Sequence, residues 1–210
     1  MGLFHNMHQA ARKGDFATLQ KLINKGAEID MRNDEGDTPL LVATDQNQIE
    51  AMRCLLAHGA HVNKTGRKGD TPLYRAAKAG HTEATAALIE FNADVDFAAK
   101  NGITALLTAA ALGYGEIVAL LAEADVDLEH EDGHGRTALF VAVEKGQVSS
   151  VKALMDWGAD IGHPNHSAKT PLMVAVKHHD PSLARWLVER GAPVDARDNK
   201  ERTALQYAVK

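Results

Sequence analysis

The chain has 210 residues, a formal net charge of −5 and 45% hydrophobic residues, an ordinary balance for a folded soluble protein. A pI near 6.1 argues against a nucleic-acid binder, which usually carries a basic face. No stretch approaches the ~20 apolar residues needed to span a bilayer. The opening MGLFHNMHQAARKGD is too polar for a secretory leader, and Asn6 stands where a myristoylation signal wants Ser or Thr. A cytoplasmic location is therefore expected; a leader removed ahead of Met1 would void that expectation. The single cysteine, Cys54, excludes an intramolecular disulfide and reads as a small buried hydrophobe.

Along the chain one phrase recurs six times. TPLLVAT begins at Thr38, TPLYRAA at Thr71, TALLTAA at Thr104, TALFVAV at Thr137, TPLMVAV at Thr170 and TALQYAV at Thr203, each 33 residues after the last. A fixed period of this size means one supersecondary unit stacked on copies of itself. Each phrase predicts the start of a first helix of roughly ten residues, where an early Pro is well tolerated. That helix ends at Gly80, Gly113 or Gly146, with Asn47 and His179 in the same slot of two other copies. A second helix follows, such as HTEATAALIEF, then a closing segment such as GAHVN or GAPVD, then a polar finger such as NKTGRKGD or EHEDGHGR.

The apolar landmarks keep the same register. Leu40, Leu73, Leu106, Leu139, Leu172 and Leu205 follow the threonines by two, and Ala43, Ala76, Ala109, Ala142, Ala175 and Ala208 by five. Leu55, Leu88, Leu121, Leu154 and Leu187 mark the second helices. The slot after the second helix holds Gly26, Gly59, Gly158 and Gly191 in four copies, and Asn92 and Asp125 in two. A helix cap there needs a left-handed backbone, and Asn and Asp are the non-glycine residues that tolerate it best.

The phrase T-P-L-x-x-A-A, the pair Gly80–His81 beginning nine residues after Thr71, and the closing G-A-x-V-N/D together resemble the ankyrin repeat over the whole chain. Ala105, Ala138 and Ala204 depart from the proline of the phrase. Residues 1–32 fit as a degenerate first repeat: Met7, Ala10, Gly14, Leu22, Gly26, Ala27, Ile29 and Asp30 fall in register, while His5 stands in the threonine slot. The resemblance implies an all-α solenoid of stacked helix–turn–helix repeats with projecting hairpin loops. It implies a single domain, 1–210, with repeats near 1–32, 33–65, 66–98, 99–131, 132–164, 165–197 and a partial 198–210. Lys210 falls at the end of the first helix of a seventh unit, so either the natural chain continues or the half-repeat is the cap.

No G-x-S-x-G, Walker loop, H-E-x-x-H or C-x-x-C is present, so an enzyme is not expected, and no cofactor. Histidines gather at His130, His134, His163, His166, His178 and His179; His134 and His166 are the pair considered for a metal, but solvated loop histidines are the stronger reading and no metal site is assigned. A repeat stack also leaves no deep apolar pocket for a small molecule.

What remains is a protein partner, bound through the concave groove and fingers that the resemblance implies. Positions that the repeat does not dictate are acidic in repeat 2 (Asp34, Glu35, Asp37, Asp45) and basic with an aromatic in repeat 3 (Arg67, Lys68, Tyr74, Arg75, Lys78). They are apolar in repeat 4 (Ile103, Leu107, Leu112, Tyr114), and mixed beyond (Arg136, Phe140, Lys145, Lys169, Met173, Lys177, Arg202, Tyr207). For Leu107, Phe140 and Met173, packing against the next repeat competes with partner contact. Ile103 is apolar where other copies carry Asp37, Asp70, Arg136, Lys169 and Arg202. Phe91 and Trp157 precede the left-handed slot, where other copies have His58 and Arg190. The expected contact set is Tyr74, Arg75, Lys78, Ile103, Leu107, Leu112, Tyr114, Arg136, Phe140, Lys145, Trp157, Lys169 and Lys177, with Tyr74, Ile103, Leu112, Tyr114 and Phe140 at its centre. The expected partner is a protein with an acidic and apolar surface, engaged without nucleic acid or membrane insertion by a chain that is monomeric on its own. The alternative is a dedicated inhibitor of immunity type that caps the active site of a partner enzyme.

Overall fold

The computed structural model describes residues 2–209, with side chains described for 7–209. Thirteen α-helices account for the regular structure of the described residues, with one 3-10 turn and no strand. Contacts divide the chain into two compact units, residues 1–100 and 101–210. The first contains α1 (Gly2–Lys13), α2 (Phe16–Asn24), α3 (Pro39–Asp45), α4 (Ile49–Ala57), α5 (Pro72–Ala79) and α6 (Thr82–Glu90). The second contains α7 (Ala105–Leu112), α8 (Gly115–Glu123), α9 (Ala138–Glu144), α10 (Val148–Asp156), α11 (Pro171–Lys177), α12 (Pro181–Glu189) and α13 (Ala204–Ala208). The 3-10 turn, Lys100–Gly102, lies where the chain passes from one unit to the next. His5 falls inside α1 and its side chain lies outside the described residues.

Each recurring threonine sets the start of a first helix. The hydroxyls of Thr38, Thr71, Thr104, Thr137 and Thr170 accept the backbone N–H of Leu41, Tyr74, Leu107, Phe140 and Met173 at 3.2–3.4 Å. This satisfies one of the donors that every helix start leaves free. At Thr203 the closing bond runs the other way: its N–H donates to Gln206 Oε1 at 2.9 Å.

The left-handed slots mark the other boundaries. Residues 14, 47, 80, 113, 146 and 179 after the first helices, and 26, 59, 92, 125, 158 and 191 after the second, all have positive φ. So Asn47 and His179 keep the turn that glycine makes elsewhere (φ 52° and 57°). A third slot, not foreseen from sequence, lies on the finger at 36, 69, 102, 135, 168 and 201. Ala168 and Glu201 occupy it without glycine's freedom, at a cost of about 1–2 kcal/mol each.

A side-chain clip offsets that cost. Asn165 Oδ1 accepts the N–H groups of Ser167 and Lys169, and Asp198 Oδ1 those of Lys200 and Arg202, at 2.9–3.1 Å. Asn33 and Asp132 clip their own fingers the same way. The fingers before Thr38, Thr71, Thr137, Thr170 and Thr203 are therefore tight turns, each closed by a backbone bond such as Asn33 N–H to Asp37 O or Asp198 N–H to Arg202 O, and not paired strands.

Within each unit the helices form two rows. In the first, α3 packs on α1 and α5, α4 on α2 and α6, and each first helix on its own second helix. In the second, α9 packs on α7 and α11, α11 on α13, and α10 on α8. The recurring leucines sit between the rows: Leu40, Leu73, Leu106, Leu139 and Leu172 are buried, as are Leu55, Leu88, Leu121, Leu154 and Leu187. Each is worth about 1.5–3 kcal/mol of burial. The alanine slot is buried from Ala43 to Ala175, where a methyl lets helices approach closely. On α13 the pattern breaks: no described helix follows it, and Leu205 is 74% exposed.

Leu121 is fully buried on α8. Leu121→Ala is expected to cost about 2–5 kcal/mol, read as a lowered denaturant midpoint. An unchanged midpoint contradicts the packing described.

Candidate interaction surface

In the first unit the opposite charges of repeats 2 and 3 meet each other. Arg75 on α5 reaches back across the fingers. Its guanidinium donates to Asp37 Oδ1 and Oδ2 (2.6 and 2.9 Å), Asp45 Oδ2 (2.7 Å) and Asp70 Oδ2 (2.8 Å). Its side chain is only 13% exposed. Burial pulls Arg75 down, but bonds to Asp37 and Asp70 and the charges of Asp45 and Asp70 outweigh it and hold the group above its ordinary pKa. Loss of water pushes the Asp45 carboxyl up, against the pull of Arg75. Arg75 is thus an internal tie between two fingers and α3, and the expectation that it is a free contact is corrected. Asp37 and Asp45, acidic positions of repeat 2 in the sequence, are its partners, and the Asp45 side chain stays 40% exposed.

These residues floor an open cleft of about 650 Å³ whose walls include Glu35, Arg67, Lys68 and Lys78. Lys78 is exposed and lies 5.9 Å above the half-buried Tyr74 ring, close enough for a cation–π contact. Cys54 is buried, its thiol pushed up by loss of water, and His58 Nδ1 donates to the Cys54 carbonyl at 2.7 Å.

In the second unit the predicted residues separate into three groups. Leu107 and Phe140 are 3% and 1% exposed. They fill space between first helices and have no surface to offer, so their assignment as partner contacts is corrected; Met173 is buried likewise. Arg136 is held in its own unit. Its guanidinium bonds Asp132 (2.7 and 2.9 Å) and Glu144 (2.7 Å). Burial lowers it, but these carboxylates raise it further. Arg202 repeats the device: it bonds Asp198 and the Tyr207 hydroxyl at 2.7 Å and stacks 4.6 Å from the Tyr207 ring.

The third group is open to solvent or partly so. Leu112 (45% exposed) ends α7, and Lys145, in the same slot of the next repeat, ends α9. Lys177 at the end of α11 is exposed, while Ile103, Tyr114 and Lys169 are half-buried. Lys145, Lys169 and Lys177 make no ion pair among the described residues. Trp157 is 47% exposed at the C-cap of α10, on the second-helix side and away from the finger row. The chain's other tryptophan, Trp186, carries Arg190 stacked at 3.7 Å.

Two of the histidines pair with carboxylates. His163 lies 2.8 Å from Glu131 and 3.3 Å from Glu129, and His166 lies 3.4 Å from Glu131. The bond from His163 holds Glu131 below its ordinary pKa. His134 meets His166 only through the backbone, His166 N–H to His134 O at 3.1 Å. Among the described residues no group of three or more His, Cys, Asp or Glu is arranged to hold a metal ion.

Family models described as ankyrin repeats match residues 7–98 and 85–165 (three copies) and 158–208 (many copies). The chain belongs to the ankyrin repeat family. The ankyrin repeat domain of human ASB11 is 28% identical, with a TM-score of 0.82 over 96% of this chain and 90% of that one. The ankyrin repeat domain of Bcl-3, described as a unique member of the IkappaB protein family, is also 28% identical, with a TM-score of 0.92 over 97% and 93%. No curated protein sequence matches. Ankyrin repeat domains are interaction modules, and they generally mediate protein–protein contacts.

Sequence reasoning missed the Arg75 tie, although a signal was present. Arg75 fills a slot held elsewhere by Val42, Thr108, Val141, Val174 and Tyr207, and Asp37 and Asp70 precede threonines where other copies are apolar or cationic.

Asp132 supplies a pH test. Burial raises its carboxyl, but bonds from Arg136 and His134 prevail and hold it below its ordinary value of 3.8. A depressed folded pKa stabilises above the unfolded pKa and is lost as pH falls through the folded one. The thermal midpoint is expected to fall as pH drops below about 4, with Asp132→Asn flattening that fall. An Asp132→Asn curve parallel to wild type contradicts this role.

Proposed function

We propose that the chain is a non-catalytic binding module that takes an acidic, partly apolar protein surface on the finger and first-helix side of its second unit. The observation that carries this reading is the division of cations. Arg136 and Arg202 are held by carboxylates of their own repeats, while Lys145, Lys169 and Lys177 have no such partner. Leu112 shares a slot with Lys145, and Ile103 shares one with Lys169, so apolar positions of repeat 4 give way to cationic ones along the same rows. An apolar centre with a charged rim is the usual anatomy of an interface. In the first unit, Lys78 and Tyr74 offer the same chemistry beside the Arg75 tie.

The test begins with capture of a partner by pull-down and its identification by mass spectrometry. Association with the purified partner is expected to slow as salt rises, because surface charges are screened over ~10 Å at 0.1 M. Lys145→Glu combined with Lys177→Glu should slow association at low salt and flatten the salt dependence. A rate indifferent to ionic strength and to both substitutions shows that these lysines are merely solvated.

A further inference from the structure

Two fingers lack the side-chain clip. Where Asn33, Asp132, Asn165 and Asp198 clip their fingers, repeats 3 and 4 have Gly66 and Ala99, which have no side-chain acceptor to offer. The finger of repeat 3 is still closed by Gly66 N–H to Asp70 O at 2.9 Å, whereas that of repeat 4 carries the 3-10 turn Lys100–Gly102. Positive φ occurs at three slots in each of six repeats, and among the described residues it occurs at one position more, Asn101 (φ 63°). Asn101 is exposed, and the residue after it is Gly102, also at positive φ. This is the only Asn–Gly pair in the chain.

We propose that Asn101 is a site of spontaneous succinimide chemistry that turns this finger anionic with time. The Gly102 backbone nitrogen attacks Asn101 Cγ. An N–Cγ bond forms, the Cγ–Nδ2 bond breaks, and ammonia leaves with the proton given up by the Gly102 nitrogen. Water then opens the ring at one of its two carbonyls. Opening at Cγ yields aspartate; opening at the main-chain carbonyl yields isoaspartate, with the chain running through the former side chain. No oxidant or reductant is needed. Glycine favours the closure because it puts no Cβ against the forming ring. Solvent exposure supplies the water.

The fold also keeps this pair in place. A Cβ at residue 102 would come within 2.9 Å of the Glu131 carbonyl, so glycine cannot readily be exchanged. The altered bonds sit where the neighbouring finger is held: Asn101 O accepts Gly133 N–H at 2.8 Å, and His130 Nε2 donates to Gly102 O at 3.0 Å. In the isoaspartate form the first of these carbonyls becomes a free carboxylate. Either product places a negative charge two residues from Ile103, a residue on which the proposed binding rests.

The experiment is incubation of the intact folded chain at mildly alkaline pH, with samples resolved by ion exchange. Trypsin should release a peptide running from Asn101 to Arg136; isoaspartate in it is scored by enzymatic methyl transfer. The expected result is an acidic species shifted by a single negative charge, mapping to Asn101 and lost in Asn101→Gly, which keeps the left-handed backbone available. The proposal is overturned if no acidic species forms, if it maps to another asparagine, if Asn101→Gly forms it equally, or if it appears only after denaturation. The readout is independent of any partner, so a negative binding experiment leaves it standing.

Discussion

A left-handed backbone residue, recurring three times per repeat, is the constraint on which this protein's organisation rests. Two of the slots stop the helices and reverse the chain; the third folds the finger back toward the next threonine. Because the turns are fixed, every helix begins and ends at the same place in its unit. The leucine and alanine positions therefore fall between rows each time, and burial follows from register. Glycine fills most of these slots at no steric cost. Where it is missing, the chain uses Asn, Asp or, at 179, His, or finds a local substitute such as the Asn165 and Asp198 clips beneath Ala168 and Glu201.

Much of this was legible in the sequence. The threonine caps, the left-handed slot with Asn92 and Asp125 as its exceptions, and the two sets of leucines all depend on local chemistry repeated in phase. Six copies make such chemistry easy to read. The exceptions inside the pattern were harder. Leu107 and Phe140 stand at a position whose exposure depends on how deeply the adjacent first helix approaches, which no single repeat reveals. Leu205 carries the same phrase as five buried leucines and is exposed, because burial in a stack belongs to the neighbour as much as to the residue.

Charge was the least legible property. A list of charged residues by repeat reads as an acidic end and a basic end. The structure cancels part of that gradient, since Arg75 gathers Asp37, Asp45 and Asp70 around one guanidinium. Arginine suits this role: its planar fork meets several carboxylates at once, which a lysine ammonium does not do with the same geometry. Arg136 and Arg202 follow the same logic within their own fingers. These three arginines thus fix fingers in place, and the cations of the second unit without an ion pair among the described residues include Lys145 and Lys177 at helix ends and Lys169 on a finger. What distinguishes this ankyrin chain is accordingly the positions its repeat leaves free, once the internally spent charges are set aside.

That division stands or falls on Arg75. If it is a tie, its removal leaves Asp37 and Asp70 facing each other partly desolvated, and removing one carboxylate should relieve part of the damage. The most direct measurement is a double-mutant cycle on folding stability with Arg75→Met, Asp37→Asn and the double variant. The account predicts that Arg75→Met alone is destabilising, and that the two substitutions are coupled by about 0.5–3 kcal/mol, the double variant losing less than the sum of the singles. Strict additivity, or an Arg75→Met protein as stable as wild type, would return Arg75 to the surface and contradict the account.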